Sequence, residues 1–270
     1  MAEQVVWITG ASSGIGAALA REWARREARL VLAARRRDRL DSVVEEVRRL
    51  GGAAVAVECD VTRDGDPERA VARALAEWGR LDVVVANAGF GVPGTFEALT
   101  IDDYRRQFET NVFGLMRTVK AALPEVRKSR GRIALVGSVA GYVATVGTSA
   151  YAMSKFAVRA LAQALRYELR RDGVSVTHIA PGFVESEFRL KDARGELRPD
   201  AKENVPAWLI VPNRVAARAI VRAVLRRRRE AVITAHGKLL VLLARHFPRL
   251  LDFVLLRAPA WRERDLAERT

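Results

Sequence analysis

The chain has 270 residues, half of them hydrophobic and 29% charged, the balance of a folded globular protein with one large core rather than of a disordered or membrane-spanning one. A single cysteine, Cys59, excludes an intrachain disulfide framework, and His178, His236 and His246 lack ligand-like spacing, so no structural metal is expected. The net charge of +14 is concentrated in residues 205–270, with fourteen Lys/Arg against five Asp/Glu; without a nucleic-acid-binding motif or an aromatic stacking platform, nucleic acid is not the expected partner.

The N-terminus enters an apolar run at residues 5–9 that is too short for a secretory core, so a cytoplasmic protein is expected. That run reads as a buried strand. It is followed by Gly10-Ala11-Ser12-Ser13-Gly14-Ile15-Gly16 and a helix over about 17–26. Strand, glycine-rich turn and helix N-terminus suit a pyrophosphate, because the backbone can approach closely and the free N–H groups attract its charge. The spacing Gly-x-x-x-Gly-x-Gly differs from the commoner Gly-x-Gly-x-x-Gly, and its position after the first strand is what raises it above a tight bend.

Residues 29–33 form a second strand ending at Ala34-Arg35-Arg36-Arg37. An acid there would hold a ribose 2′-hydroxyl. Ala34 and Arg35 stand in its place, which favours NADP(H) over NAD(H). A helix over 41–50, a strand over 54–59 running into Asp60-Val61, a helix over 67–78 and a strand over 81–85 ending in Asn87-Ala88-Gly89 follow. Strands apolar on both faces and alternating with helices predict an α/β fold: a doubly wound parallel sheet of about seven strands with helices on both faces. Ligands then lie beyond the strands' carboxyl ends, near Gly10, Arg35, Asp60 and Asn87.

Residues 101–126 are expected to be helical with an interruption at Pro124, and they carry Asn111, either a buried structural amide or a link in a proton path. A fifth strand over 132–138 puts Ser138 at a carboxyl end. The next helix, 151–171, starts with Tyr151 and Lys155, four residues apart and therefore on one face. A cation beside a phenol lowers a pKa that is otherwise near ~10 and makes proton transfer practicable at neutral pH. The sixth strand, 174–179, holds His178, read as a packing residue.

These motifs, in this order, resemble the short-chain dehydrogenase/reductase family. They are Thr9-Gly10-Ala11-Ser12-Ser13-Gly14-Ile15-Gly16, Asp60-Val61, Asn87-Ala88-Gly89, Asn111, Ser138, Tyr151-x-x-x-Lys155 and Pro181-Gly182-Phe183-Val184, with Ser138 and Tyr151 thirteen residues apart. The resemblance covers residues 5 to about 234 and implies a single-domain Rossmann-type fold. It also implies hydride transfer between NADP(H) and an alcohol or carbonyl carbon. It assigns Tyr151 as general acid/base, Ser138 as the stabiliser of the substrate oxygen, Lys155 as a partner of Tyr151 and the nicotinamide ribose, and Asn111 as holder of a water leading to solvent. Around the cofactor it assigns Gly10, Ser12, Gly14, Ile15 and Gly16 to the turn, and Ser13 and Arg35 to the 2′-phosphate side. Asp60 and Val61 go to adenine, Asn87, Ala88 and Gly89 to the adenosine ribose region, and Pro181, Gly182, Val184 and Ser186 to the nicotinamide side. Ser186 stands where the family usually has Thr, and Ser13 where many NADP-preferring members have a basic residue. The competing reading is a cofactor-binding regulator or scaffold that does not turn over.

Walls rich in Phe, Val and Ala at 90–96, 139–146 and 183–212 point to an apolar substrate, lipid-like or aromatic, with 185–212 as a lid. A helix over 213–229 and a seventh strand over 231–234 close the domain at 237. Residues 238–270 form a basic extension in which two short amphipathic helices are expected over 238–257, covering the pocket or an interface, or resting on an anionic membrane. A homodimer or homotetramer is the expected assembly.

Overall fold

Seven apolar runs form strands in the computed structural model, which describes residues 3–185 and 205–257. They are β1 Val5–Thr9, β2 Arg29–Ala34, β3 Ala53–Glu58, β4 Val83–Ala86, β5 Arg132–Val136, β6 Ser175–Ala180 and β7 Glu230–Val232. All pair in parallel, in the order β3-β2-β1-β4-β5-β6-β7. The helices are α1 Gly14–Ala24, α2 Arg37–Arg49, α3 Asp66–Trp78, α4 Ile101–Phe108, α5 Leu115–Lys128, α6 Ser149–Glu168, α7 Asn213–Leu225, α8 Ala235–His246 and α9 Pro248–Arg257. This is the expected doubly wound sheet.

The central strands are buried on both faces, so their side chains divide by the period of two between two cores. Val6 and Ile8 point to the side of Leu19, Trp23, Leu40 and Ile220, which come from α1, α2 and α7. Trp7 points to the other side, with Val119, Val126, Val158 and Ala162 from α5 and α6. The strand order reverses between β1 and β4, and the loops following these two strands flank the crevice where such sheets take ligands.

The segment 101–126 differs from expectation. Its break is a π-helical turn, Glu109–Gly114, and α5 runs through Pro124 to Lys128. Pro124 and Lys120 both lie on the exposed side of α5, so the Lys120 carbonyl that loses its helical donor faces water, while Val119, Ala122 and Val126 keep the helix seated. The π turn lies around Asn111. Such turns widen the backbone ladder and recur at functional sites.

The C-terminal segment forms two helices, as expected, but the boundary at 237 falls inside α8. Thr234 caps α8 by accepting from the Gly237 N–H (3.2 Å), and Val241 is buried against Val139, Tyr142 and Ala180. Helix α8 is therefore continuous with the domain's packing. Among the described residues no helix is long and apolar enough to cross a membrane. Most of the expected lid, residues 186–204 with Ser186, lies outside the described residues. The flanking residues pair: Val184 bridges Val211, the Val211 N–H donates to the Phe183 carbonyl and the Glu185 N–H donates to the Val211 carbonyl, both at 3.0 Å.

Candidate active site

The glycine-rich turn is built for close approach. Gly10 and Gly14 have φ of +65° and +53°, where a side chain would strain the backbone. A Cβ on Gly16 would stand 2.2 Å from the Gly10 carbonyl oxygen. The turn is held from β4. The Asn87 side chain donates to the Thr9 carbonyl (2.9 Å) and the Gly10 carbonyl (3.3 Å), and Thr9 Oγ1 accepts from the Asn87 and Ala88 N–H groups (3.0 and 3.1 Å). Asn87 thus spends its amide on joining the two loops. Ser12, Ser13 and Ile15 lie half-buried along the turn, and α1 starts at Gly14 with no acid in its first turn to occupy its N–H groups. A Cβ on Gly10 would likewise stand 2.9 Å from the Ala88 Cα, so these glycines let the turn pack against the loop after β4, and the free N–H end of α1 beside it fits a diphosphate.

At the end of β2 the two arginines diverge. Arg36 reaches back to the turn and donates to Ser13 Oγ at 3.0 Å and Ser12 Oγ at 3.5 Å. Arg35, the one chosen from sequence, is exposed on the other side, where it lines a cleft of about 800 Å³ with Arg37, Glu58, Asp60, Arg63 and Arg69. Successive residues leaving a strand point to opposite sides, so adjacent arginines separate. Arg36 was concealed by standing in a run of three arginines. Asp60 holds its own turn, its carboxylate accepting from the Thr62 N–H (3.0 Å) and hydroxyl (2.8 Å), while its N–H donates to Asp66. Val61 is buried against Gly114 at the end of the π turn.

Ser138, Tyr151 and Lys155, the residues expected to handle the proton, converge beyond β4 and β5. Ser138 caps a short 3-10 turn, Val139–Gly141, its Oγ accepting from the Ala140 N–H at 3.1 Å. Helix α6 starts two residues before Tyr151 and so places it in the first turn. Lys155 is buried one turn on, its Nζ donating to the Val136 carbonyl (3.0 Å) and lying 5.6 Å from the centre of the Tyr151 ring. Burial pushes the Lys155 ammonium down to about 8. The 3-10 turn packs so closely on α6 that a Cβ on Gly141 would stand 2.7 Å from the Lys155 carbonyl oxygen.

Asn111 is fully buried and clamps these elements together. Its Oδ1 accepts from the Phe90 N–H (3.0 Å), and its Nδ2 donates to the Phe90 carbonyl (2.9 Å) and Ser154 Oγ (3.1 Å). A Cβ on Gly89 would lie 2.9 Å from Asn111 Oδ1 and 3.7 Å from Lys155 Nζ, so all three groups border one space. Ser154, which also donates to the Tyr151 carbonyl at 2.7 Å, was missed in the sequence because a small polar residue in a helix gives no signal of its own.

On the nicotinamide side of the expected site, Pro181 and Val184 are buried, and Gly182 faces Thr234 and His236 so closely that a Cβ would stand within 2.4 Å of both. His236 Nε2 accepts from the Phe183 N–H at 3.1 Å, and the two rings stack at 5.3 Å. The first turn of α8 thus supports this loop, a contact between residues 53 apart that no local pattern announces.

Behind the Ser138 turn lies a second polar cluster. The Tyr142 hydroxyl donates to Glu230 Oε2 and meets His178 Nδ1 at 3.1 Å, while Arg245 of α8 donates to both Glu230 oxygens at 2.8 Å. Burial and the Glu230 carboxylate push the Tyr142 phenol up, and burial pushes the His178 imidazole down to about 4, so His178 is neutral and structural. Burial also raises Glu230, but the bonds from Tyr142 and Arg245 outweigh it and hold the carboxyl below its usual range. Glu230→Ala removes the acceptor of both donors and is expected to cost about 1–3 kcal/mol, read as a lower urea midpoint with an unchanged m value.

The chain is similar to known proteins over most of its length. The family model described as short chain dehydrogenase matches residues 4–196. An uncharacterized oxidoreductase of Myxococcus xanthus is 38% identical over 236 residues, covering 80% of this chain and 92% of that protein. The 11-beta-hydroxysteroid dehydrogenase 1A of Arabidopsis thaliana is also 38% identical over 236 residues, covering 84% of this chain and 67% of that protein. Among solved structures, an alcohol dehydrogenase from Thermococcus sibiricus complexed with 5-hydroxy-NADP superposes with a TM-score of 0.76 at 29% identity, covering 86% of this chain and 97% of that one. A short-chain dehydrogenase from Sphingobium yanoikuyae in complex with NADPH gives 0.74 at 30% identity, covering 92% and 96%. The chain is a member of the short-chain dehydrogenase/reductase family of oxidoreductases.

Proposed function

We propose that the protein is an NADP(H)-dependent oxidoreductase that interconverts an alcohol and a carbonyl on an apolar substrate, with Tyr151 as general acid/base. The observation that carries this reading is the buried Lys155 ammonium, tied to the Val136 carbonyl and 5.6 Å from the Tyr151 ring centre, in a fold whose glycine-rich turn fits a diphosphate. An ammonium buried with no carboxylate partner among the described residues is costly, and lowering the pKa of an adjacent phenol gives it a chemical use.

The nicotinamide, when bound, supplies or accepts hydride. Tyr151 gives a proton to the carbonyl oxygen in reduction and takes it back in oxidation. Lys155 stabilises the phenolate and has two further N–H groups beyond the one spent on Val136 for the phenolate and the nicotinamide ribose. Ser138 accepts from Ala140 with its oxygen, which leaves its O–H to donate to the substrate oxygen and stabilise the charge developing there. Asn111 borders the same space as Lys155 Nζ, where a water could pass the proton outward. The turn of Gly10, Gly14 and Gly16 takes the diphosphate, Arg36 with Ser13 takes the 2′-phosphate with Arg35 on its far side, and Asp60 and Val61 border the adenine.

NADP(H) over NAD(H) is favoured by the Arg36–Ser13 pair and by the nicotinamide forms bound in the two structural neighbours. Substrate apolarity is favoured by exposed Phe96 and Val146, on segments joined by the Gly94 N–H donating to the Gly147 carbonyl at 3.1 Å, and by exposed Trp208, three residues before Val211, which bridges Val184 beyond β6. The steroid-related name of the Arabidopsis relative is in keeping with an apolar ligand. Exposed Ile101, Phe113, Met153 and Phe156 form a face on α4, the π turn and α6 that suits a homodimer or a larger homo-oligomer.

A panel of apolar and charged carbonyls and alcohols, assayed with both cofactors by nicotinamide absorbance, tests the reading. NADPH is expected to exceed NADH in kcat/KM. Arg36→Ala is expected to lower the NADPH value about tenfold or more, with little change for NADH, since a charge-assisted bond to phosphate contributes about 1.5–3 kcal/mol. Preference for NADH in the unmodified protein, or selective turnover of small charged keto acids, would refute the corresponding part.

A further inference from the structure

The described C-terminal helices leave an apolar surface that the catalytic reading does not use. Leu239, Leu242, Phe247, Leu250, Phe253 and Leu256 are each between 50% and 86% exposed. Their opposite sides are what holds the helices down, for Val241 and Leu251 are buried. On α9 the division follows helical spacing: Leu250, Phe253, Val254 and Arg257 share the outward stripe, while Leu251 and Leu255 turn inward. A monomer rarely spends so many large apolar side chains on water within two helices.

The charges around this surface are mainly positive. Lys238, Arg249 and Arg257 are exposed on the same two helices, with Asp252 the one acid among the described residues of α8 and α9. The Arg257 guanidinium lies 3.6 Å from the centre of the Phe253 ring, so a cation stacks directly on a residue of the apolar stripe. The ion pair from Arg245 to Glu230 sets the end of α8 beside the start of β7, directly after the run Arg226–Arg229, which is also exposed. Apolar stripe and cationic rim lie together, on a chain of net charge +14.

From this pairing we infer that α8 and α9 form a docking face for an anionic lipid surface, with the leucines and phenylalanines entering the headgroup boundary and the rim cations meeting lipid phosphates. A second copy of the chain is the weaker occupant. A symmetric contact through this face would set Lys238, Arg249 and Arg257 of two strongly basic chains against one another, whereas an anionic surface neutralises them. The helices lie on the surface and do not enter the bilayer core, because neither is long enough to span it.

The test uses the full chain and two double variants: Leu250→Ser with Phe253→Ser, which keeps the cations, and Arg249→Gln with Arg257→Gln, which keeps the stripe. All four positions are exposed, and circular dichroism melts should show all three proteins folded. Co-sedimentation at 0.15 M salt compares vesicles of phosphatidylcholine with vesicles that also contain about a quarter phosphatidylglycerol. The unmodified protein is expected to pellet with the anionic vesicles and remain in the supernatant with the neutral ones. Each double variant is expected to lose about tenfold or more in partitioning. The inference is overturned if the unmodified protein ignores anionic vesicles, or if the serine variant pellets as well as the unmodified protein, which would reduce the effect to net charge. It is equally overturned if light scattering shows the serine variant at half the mass of the unmodified protein, which would make the face a subunit interface.

Discussion

Tyr151→Phe is expected to lower kcat by about 10²–10⁴-fold, the contribution of a positioned general acid or base, while NADPH binding measured by fluorescence titration changes little. The substitution removes one oxygen from a half-buried ring in the first turn of α6 and keeps the ring beside Lys155. Helix start, packing of α6 and the bond from Lys155 to Val136 all persist. The proposed diphosphate site lies on other elements, at Gly10, Gly14 and Gly16, so the two readouts are separable. Turnover within a few-fold of the unmodified protein would remove Tyr151 from the proton transfer, and loss of NADPH binding would show that the change had disturbed the crevice.

Lys155→Met is expected to act on activity and stability in opposite directions. The proposed mechanism loses the cation beside the Tyr151 phenol, so kcat should fall by about two orders of magnitude or more at pH 7, with part of the loss in the oxidative direction recovered as the pH is raised. On stability, burial lowers the Lys155 pKa from its ordinary 10.5 to about 8. Below about pH 8 both folded and unfolded chains carry the proton, and the folded one bears the cost of burying it. Between about pH 8 and 10.5 the unfolded chain holds more protons at this site, so this contribution to stability rises with pH and levels off above 10.5. The full span is about 3 kcal/mol, from about 1.4 kcal/mol per pKa unit. Urea midpoints across that window should therefore rise in the unmodified protein relative to Lys155→Met, and the variant should be the more stable of the two at pH 7. Parallel pH profiles for the two proteins would show that Lys155 is not desolvated in solution.

Much of the crevice was legible because its determinants are local. Gly10, Gly14 and Gly16 are required by backbone geometry within one turn, and Tyr151 and Lys155 are joined by the helical repeat. The alternation of apolar runs with helices was enough for the parallel sheet. Arg36 was legible only as one of three adjacent arginines, since which one faces Ser13 depends on how β2 leaves the sheet. The π turn around Asn111 had no local mark, and Pro124 drew attention to the wrong place. A proline is a strong local signal, but on the exposed side of α5 the packed face outweighed it.

By itself the sequence determined the order of strands and helices, the glycine-rich turn after β1 and the helical spacing that puts Tyr151 and Lys155 on one face. Each of these rests on contacts within a few residues or on a hydrophobic period that any stretch of chain expresses alone. Only the tertiary structure decided what surrounds them: Lys155 buried against the Val136 carbonyl, Asn111 bonded to Phe90 and Ser154, Asn87 joining two loops, and α8 bound to the Ser138 turn through Arg245, Glu230 and Tyr142. Those are pairings between residues far apart in the chain. Their partners are selected by which elements the sheet order brings side by side, and the pKa values that matter for the chemistry are set by the burial that results.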